Sequence, residues 1–425
     1  MPQESIAIIG TGAAGMACGH FLHERFNITL YEQNDYIGGH ANTAIIQNSD
    51  ETVFTDTAFV IFNDENYPLF NRLLNELKVP SIRCPMDFSI NVIPSGWTYN
   101  TRGLSYVPSN LKNLLIPEFR SMLRETGRFY KEAIEILNDP QYHQYSISDY
   151  VREKGYSDNF LNNFLIPILA VVWSIPPDEM LEYPALTMIE FLRNHGAFQG
   201  IFGKKRWSTV AKGSGSYRDK IIAPYKDRIK LQCSVSHVRR NKQNVDIIDS
   251  NGETKTYDRV IFACHADQAL KILSDPSEQE KQALAAFQYT KSKVLLHTDE
   301  SIMPENKRLW AGWNYIVDRD ENGTLRSSFS YFMNKLQKVS KKQNYFVTVN
   351  PWDRIDPDKI LREYNYEHPL FDLAAIQAQD QLPALNQNAH SYFCGSYFKY
   401  GFHEDAFRSA IEVCRTITGE PIWEN

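Results

Sequence analysis

Close to the start of the 425-residue chain, Gly10-Thr11-Gly12-Ala13-Ala14-Gly15 places glycines at GxGxxG spacing. The motif joins an apolar, strand-like run, Ile6-Ala7-Ile8-Ile9, to residues at helical spacing, Met16, Ala17, Phe21 and Leu22. Glycines there let a backbone approach a pyrophosphate held at a helix N-terminus. A second strand-like run, Ile28-Thr29-Leu30-Tyr31, ends at Glu32, whose carboxylate suits ribose hydroxyls. Strand, turn, helix, strand and acid stand in register, so the spacing predicts a dinucleotide site. An acidic residue fits an unphosphorylated adenosine ribose and leaves NAD and FAD both open.

The segment after Glu32, Gln33-Asn34-Asp35-Tyr36-Ile37-Gly38-Gly39-His40, separates the two. Here the chain resembles the flavin amine-oxidase and phytoene-desaturase superfamily, whose second motif lays a glycine pair and a basic residue along the FAD pyrophosphate. The resemblance puts His40 where most members carry arginine. Three further stretches resemble one subgroup, the FAD-binding oxidoreductases associated with cyclopropane fatty-acyl-phospholipid synthases. They are Asp56-Thr57-Ala58-Phe59-Val60-Ile61-Phe62-Asn63, Trp173-Ser174-Ile175-Pro176-Pro177 with Asn194-His195-Gly196, and Gly395-Ser396-Tyr397-Phe398-Lys399-Tyr400-Gly401-Phe402-His403-Glu404-Asp405. The likeness runs from about Ile6 to Thr418. The chain departs from the subgroup at Ala406-Phe407, where a glycine more often opens the last helix, and at Ser396, where amine oxidases usually carry an acid.

The C-terminal motif makes physical sense as a flavin site. Asp405 or Glu404 can cap the final helix and aim its positive N-terminal end at the ring, with Gly395 and Phe402 beside it. His403 is then a candidate hydrogen-bond partner or proton relay, with His195 as the second catalytic candidate. The resemblance also gives Val235 a backbone contact to adenine. His265, in Ala263-Cys264-His265-Ala266-Asp267, reads as architectural. Trp173, Trp207, Trp310, Trp313, Tyr315 and Trp352 could wall an apolar tunnel or form plain core.

These residues need a scaffold, and the chain is long enough to supply one. Hydrophobic residues make up 43% and charged residues 23%, which predicts compact folding. With 45 Lys+Arg against 51 Asp+Glu, the net charge of −6 offers no general basic field, so a nucleic-acid partner is not expected. Six dispersed cysteines show neither a disulfide framework nor zinc spacing, and no metal site is expected. The apolar N-terminal run lacks the basic flank of a leader, and the longest apolar stretch, Phe164 to Trp173, is half a bilayer span. A cytoplasmic protein is expected, with peripheral contact to the inner membrane face left open.

Helical periodicity covers about 66–77 and 112–137. Beyond Gly213-Ser214-Gly215 the pattern alternates as strands: Ile229–Leu231, Val235–Arg239, Val245–Ile248 and Val260–Ala263, then a strand-rich stretch from Val294 to Val349. Ser391–Cys394 and a helix from about Asp405 to Thr418 close the chain. The expected fold class is α/β, a Rossmann-type FAD-binding domain with an interleaved α+β substrate domain, as in amine-oxidase-like two-domain flavoproteins. Residues 1–65, 205–275 and 385–425 would form the FAD domain, and 66–204 with 276–384 the substrate domain.

The expected activity is FAD-dependent removal of a hydride from a carbon–hydrogen bond. Gly213-Ser214-Gly215 has the wrong spacing for a second nucleotide, so NAD(P)H is not expected. By resemblance the substrate is a lipid acyl chain, desaturated or isomerised, with a cyclopropane-synthase-type protein as a partner. The alternatives are oxidation of an amine or amino acid, and a silent flavoprotein that supports a lipid-modifying synthase. Leu111-Lys112-Asn113-Leu114-Leu115-Ile116 is the candidate tunnel mouth, with the core face of an ordinary helix as its competing reading.

Overall fold

A computed structural model of the chain describes residues 3–100, 111–173, 177–194, 206–323, 325–387 and 390–423. Its nucleotide-type sheet is five-stranded and entirely parallel, ordered Ile229–Lys230, Asn27–Tyr31, Ser5–Ile9, Arg259–Phe262 and Ser391–Phe393. Strands far apart in sequence are thereby paired: Ile8 stands opposite both Leu30 and Ile261, and Phe262 opposite Phe393. Parallel strands need cover on both faces. Ile6 and Ile8 enter one core, shared with helix Ala13–Leu22 and the C-terminal helix His403–Thr418. Ala7 and Ile9 enter the other, beside residues of the antiparallel sheet Val235–Arg240, Val245–Asp249 and Thr254–Tyr257.

A second sheet of seven strands is mostly antiparallel. Its order is Ile360–Leu370, Gln288–His297, Phe346–Val349, Leu325–Phe332, Trp313–Arg319, Phe88–Val92 and Trp97–Asn100. Two of its parts are missing from the expectation. Phe88–Val92 and Trp97–Asn100 form a hairpin between the helical stretches at 66–77 and 112–137, where no strand is expected, because pairing with Trp313–Arg319 outweighs a weak local pattern. Ile360–Leu370 is an edge strand; its charged residues and Pro369 break the alternation that marks a half-buried strand, and they suit an edge.

Helices Pro117–Glu132, Ile147–Glu153 and Ala185–Asn194 pack on this side of the molecule, with Phe119, Met122 and Phe129 buried in the same core as Trp97 and Tyr99. None of the helices, among the described residues, is long and apolar enough to cross a membrane.

Of the six aromatic residues for which tunnel wall and plain core are both open, the five described do not share one cluster. Side chains alternate along Trp313–Arg319, so Trp313, Tyr315 and Val317 enter the main core while Ile316 faces a smaller cluster with Trp310 and Trp352 packed against it. Trp207 lies in the main core, and the Trp173 side chain is outside the described residues.

Candidate active site

The C-terminal ends of the parallel strands converge on the glycine turn. Gly10 has φ +101°, and a Cβ there would lie 2.6 Å from the Ala263 carbonyl oxygen. A Cβ on Gly15 would lie 2.0 Å from the Gly10 oxygen, so strand and helix can pack this closely only without side chains. Around Gly12 nothing approaches within 4 Å of an added Cβ. Gly12 is also the N-cap of helix Ala13–Leu22, which has no side-chain cap and no acid in its first turn. Ala13 and Ala14 are buried behind it. The backbone N–H groups of that end therefore face an open space suited to an anion.

Glu32 is buried at the end of the adjacent strand. One carboxylate oxygen accepts from the Thr11 backbone N–H at 3.1 Å and the Thr11 hydroxyl at 2.5 Å; the other accepts from the Asn34 backbone and side chain, each at 2.9 Å. Gln33 beside it is exposed. Gly38 and Gly39 have φ of +114° and +56°, and an added Cβ on Gly39 would come within 3.3 Å of Gly12 Cα. The two glycine loops thus touch. Cys233 N–H donates to the Glu32 carbonyl at 2.8 Å, which brings Val235, the first residue of its strand, to the Glu32 side of the site.

His40 follows the glycine pair, its ring 5.0 Å from both Tyr366 and His368. Burial, then the neighbouring His368, His265 and His403, hold its pKa well below the usual imidazole value. His40 is therefore neutral, and in place of the cation expected from the family pattern it offers a hydrogen bond. Its Nε2, the His368 Nδ1 and the Tyr397 hydroxyl are buried without a hydrogen-bond partner. Buried polar atoms are normally paired. An uncapped helix end, an open space over Gly12 and these three orphaned atoms together fit a polar cofactor lying across the strand ends.

In the C-terminal motif the two candidate capping acids part: Asp405 caps the final helix as expected, and Glu404 does not. Gly395 leaves the last strand, its N–H donating to Ser409 Oγ at 3.0 Å. The Glu404 carboxylate does not face this space; it accepts from Leu69 and Phe70 N–H, both at 3.0 Å, and so caps helix Pro68–Glu76. Asp405 accepts from Tyr400 and Phe402 N–H at 3.1 and 2.9 Å, fixing the turn that opens the final helix. Burial raises its pKa to about 7, against the pull of those two donors. The Phe402 ring stacks on Phe191 at 5.3 Å.

His403 lies flat on Phe59, with centroids 3.6 Å apart, and its Nε2 shares a 3.0 Å hydrogen bond with the Tyr217 hydroxyl. Burial lowers its pKa to about 3, so the ring is neutral. His265 stacks on Tyr289 at 4.0 Å beside Glu367, as the N-cap residue of helix Ala266–Ile272. His195 lies outside the described residues, as do Ser174, Ile175, Pro176 and Gly196.

Two features escaped sequence reasoning. His368 belongs to the unexpected edge strand, so no signal could place it beside His40. Asp56 is fully buried and accepts from Ser214 N–H and Oγ, Thr43 Oγ1 and Gln337 Nε2, clamping the Gly213–Gly215 loop. Asp56 stood in a quoted motif, whereas Gln337 carried no signal.

Residues 13–367 match the family model for flavin containing amine oxidoreductase. No curated protein sequence matches the chain. Solved structures sharing its fold include putrescine oxidase bound to putrescine, at TM-score 0.69 and 14% identity over 98% of this chain and 99% of that one. Cyclohexylamine oxidase from Brevibacterium oxydans gives 0.68 and 14% over the same shares. A CLA-producing fatty acid isomerase from P. acnes gives 0.65 and 12%, over 96% of this chain and 97% of that one. At such identities the likeness is one of fold. The family match, over a glycine turn with a buried carboxylate and orphaned polar atoms beside it, makes the chain a member of the flavin-containing amine oxidoreductase family, an oxidoreductase that uses FAD.

Proposed function

We propose that the protein removes a hydride from a carbon–hydrogen bond of a lipid acyl chain. FAD, when bound, supplies the hydride acceptor. In desaturation a hydride and a proton leave adjacent carbons and a double bond forms; in isomerisation the hydride returns to the same chain and no external acceptor is needed. Gly10, Gly12, Gly15, Glu32, Gly38 and Gly39 would hold the nucleotide half, and His40, His368 and Tyr397 would offer hydrogen bonds to the rest.

The observation that carries the substrate class is the fate of the carboxylates. Glu404 and Asp405 are both spent on backbone N–H groups, and Asp56 is spent on Ser214, Thr43 and Gln337. An ammonium substrate needs a carboxylate or an aromatic cage aimed at its nitrogen. The rings of Phe59, Phe70 and Tyr217 stand around the neutral His403, an apolar setting compatible with a hydrocarbon, so the withdrawn carboxylates carry the choice.

Anaerobic mixing of the FAD-loaded protein with a series of fatty acids and phospholipids, beside aliphatic amines and amino acids, tests this. Bleaching of the flavin absorbance by acyl substrates, stronger with longer chains, is expected. Bleaching by amines alone sinks the lipid reading, and the absence of both bleaching and a shifted double bond in the recovered lipid turns it toward a silent flavoprotein.

A further inference from the structure

The large hydrophobic residues left exposed are concentrated in one place. Of the six among the described residues, four lie between 114 and 134: Leu115 at 79% exposure, Leu123 at 42%, Ile134 at 41% and Leu114 at 40%. Leu114 and Leu115 end a short turn of helix, Leu111–Leu115, while Leu123 lies on the outer face of helix Pro117–Glu132 and Ile134 just beyond it. Residues 11 apart fall on one stripe of an α-helix, which aligns Leu123 with Ile134 and Arg120 with Lys131. The buried face, Phe119, Met122, Thr126 and Phe129, lies next to this stripe, with Arg124 on the side away from it. The reading of these leucines as an ordinary core face therefore fails for Leu114 and Leu115, because Arg120 donates to the Leu114 carbonyl at 2.8 Å and helps hold the turn in which they project outward.

The charges around the stripe are sorted. Across 111–132 five bases stand against three acids in a chain whose net charge is −6. Two of the acids turn toward the protein: Glu125 accepts from Ser157 N–H and Oγ, and Glu132 accepts from the Tyr156 hydroxyl at 3.1 Å. The bases Lys112, Arg120, Arg124 and Lys131 are exposed. Leucines that project between outward bases, with Glu125 and Glu132 withdrawn and only Glu118 and the flanking Glu135 exposed, have the composition of an interfacial membrane helix.

We infer that the surface formed by Leu114, Leu115, Leu123 and Ile134, with Lys112, Arg124 and Lys131, docks onto an anionic lipid bilayer. The apolar side chains enter the headgroup boundary and the bases meet lipid phosphates. This does not rest on an acyl substrate, since vesicle binding and flavin bleaching are read separately.

Co-sedimentation of the FAD-loaded full chain with vesicles of phosphatidylcholine alone, or of phosphatidylcholine with phosphatidylglycerol, is the test. Binding to the anionic vesicles that weakens with added salt is expected. Leu114→Ser/Leu115→Ser should lower partitioning at least about tenfold, and Arg124→Gln/Lys131→Gln a few-fold with a shallower salt dependence. The single change Leu115→Glu, at the most exposed of these positions, repeats the test with little risk to folding, and retained FAD absorbance checks each variant. Equal binding to both vesicle types, no binding by the parent protein at low salt, or variants that sediment like it would overturn the inference. So would light scattering that shows a dimer dissociated by the leucine changes in a protein that ignores vesicles, since a second copy would then cover this face.

Discussion

The two ends of the chain meet at one site and behave differently. At the Gly10–Gly15 turn the side-chain-free positions do what their spacing implies: Gly10 and Gly15 permit contacts that a Cβ would forbid, and Gly12 keeps an open space. At Gly395–Asp405 the two candidate caps divide, Asp405 capping its own helix as its position implies and Glu404 claimed by another helix. A motif made of backbone conformation carries its meaning in its own spacing, because only glycine tolerates so close an approach, whether the neighbour is Gly10 itself or the distant Ala263. A motif made of polar side chains does not, because any unpaired N–H that the fold brings near can claim them.

The sharpest test of the first region separates its glycines. Gly15→Val should destabilise the fold beyond about 3 kcal/mol, since the new atoms meet backbone that has no room to move. Gly12→Ala should leave the stability of the FAD-free protein nearly unchanged while weakening FAD. Denaturant unfolding with and without FAD reads both, and equal losses of stability for the two variants would break the distinction.

Glu32 and Glu404 compare the regions directly. Glu32→Ala should lower FAD affinity at least about tenfold, whereas Glu404→Ala should cost about 1–2 kcal/mol of stability through the lost cap and leave FAD affinity and spectrum in place. Flavin titration and unfolding of each variant measure the contrast. A change of flavin potential in Glu404→Ala would return that carboxylate to the cofactor.

The last effect concerns acid. His403 stays neutral in the folded protein down to about pH 3, against an ordinary value of 6.5, so below 6.5 the unfolded chain binds the extra proton and stability is lost as pH falls. Asp405 has the opposite sign: its pKa near 7 makes the folded state bind more protons, a contribution present at low pH and lost as pH rises through 7. His403→Phe keeps a ring on Phe59 and removes one of these two titrations. The stability advantage of the parent over this variant should therefore shrink between pH 7 and 4.5, and a constant difference would mean that water reaches the ring.

Much of the architecture was legible because strong local patterns supplied it. Ile6–Ile9, Ile28–Tyr31, Val260–Phe262 and Ser391–Phe393 read as strands, and they share one parallel sheet. The hairpin Phe88–Asn100 and the edge strand Ile360–Leu370 were not legible, since their polar residues hide the period and only pairing partners make them strands. His368 and Gln337 followed the same fate, each meaningful only through a residue hundreds of positions away.

The sequence by itself therefore determined the nucleotide turn, the acid at the end of the second strand and the family, all of which depend on spacing within tens of residues. Tertiary structure alone decided which polar groups remain free: it neutralised His40 among other imidazoles, spent Glu404 and Asp405 on backbone donors, and turned leucines at 114 and 115 outward. The physical reason is that burial and hydrogen-bond competition are set by whatever packs nearby, and packing at such distances leaves no periodicity in the chain.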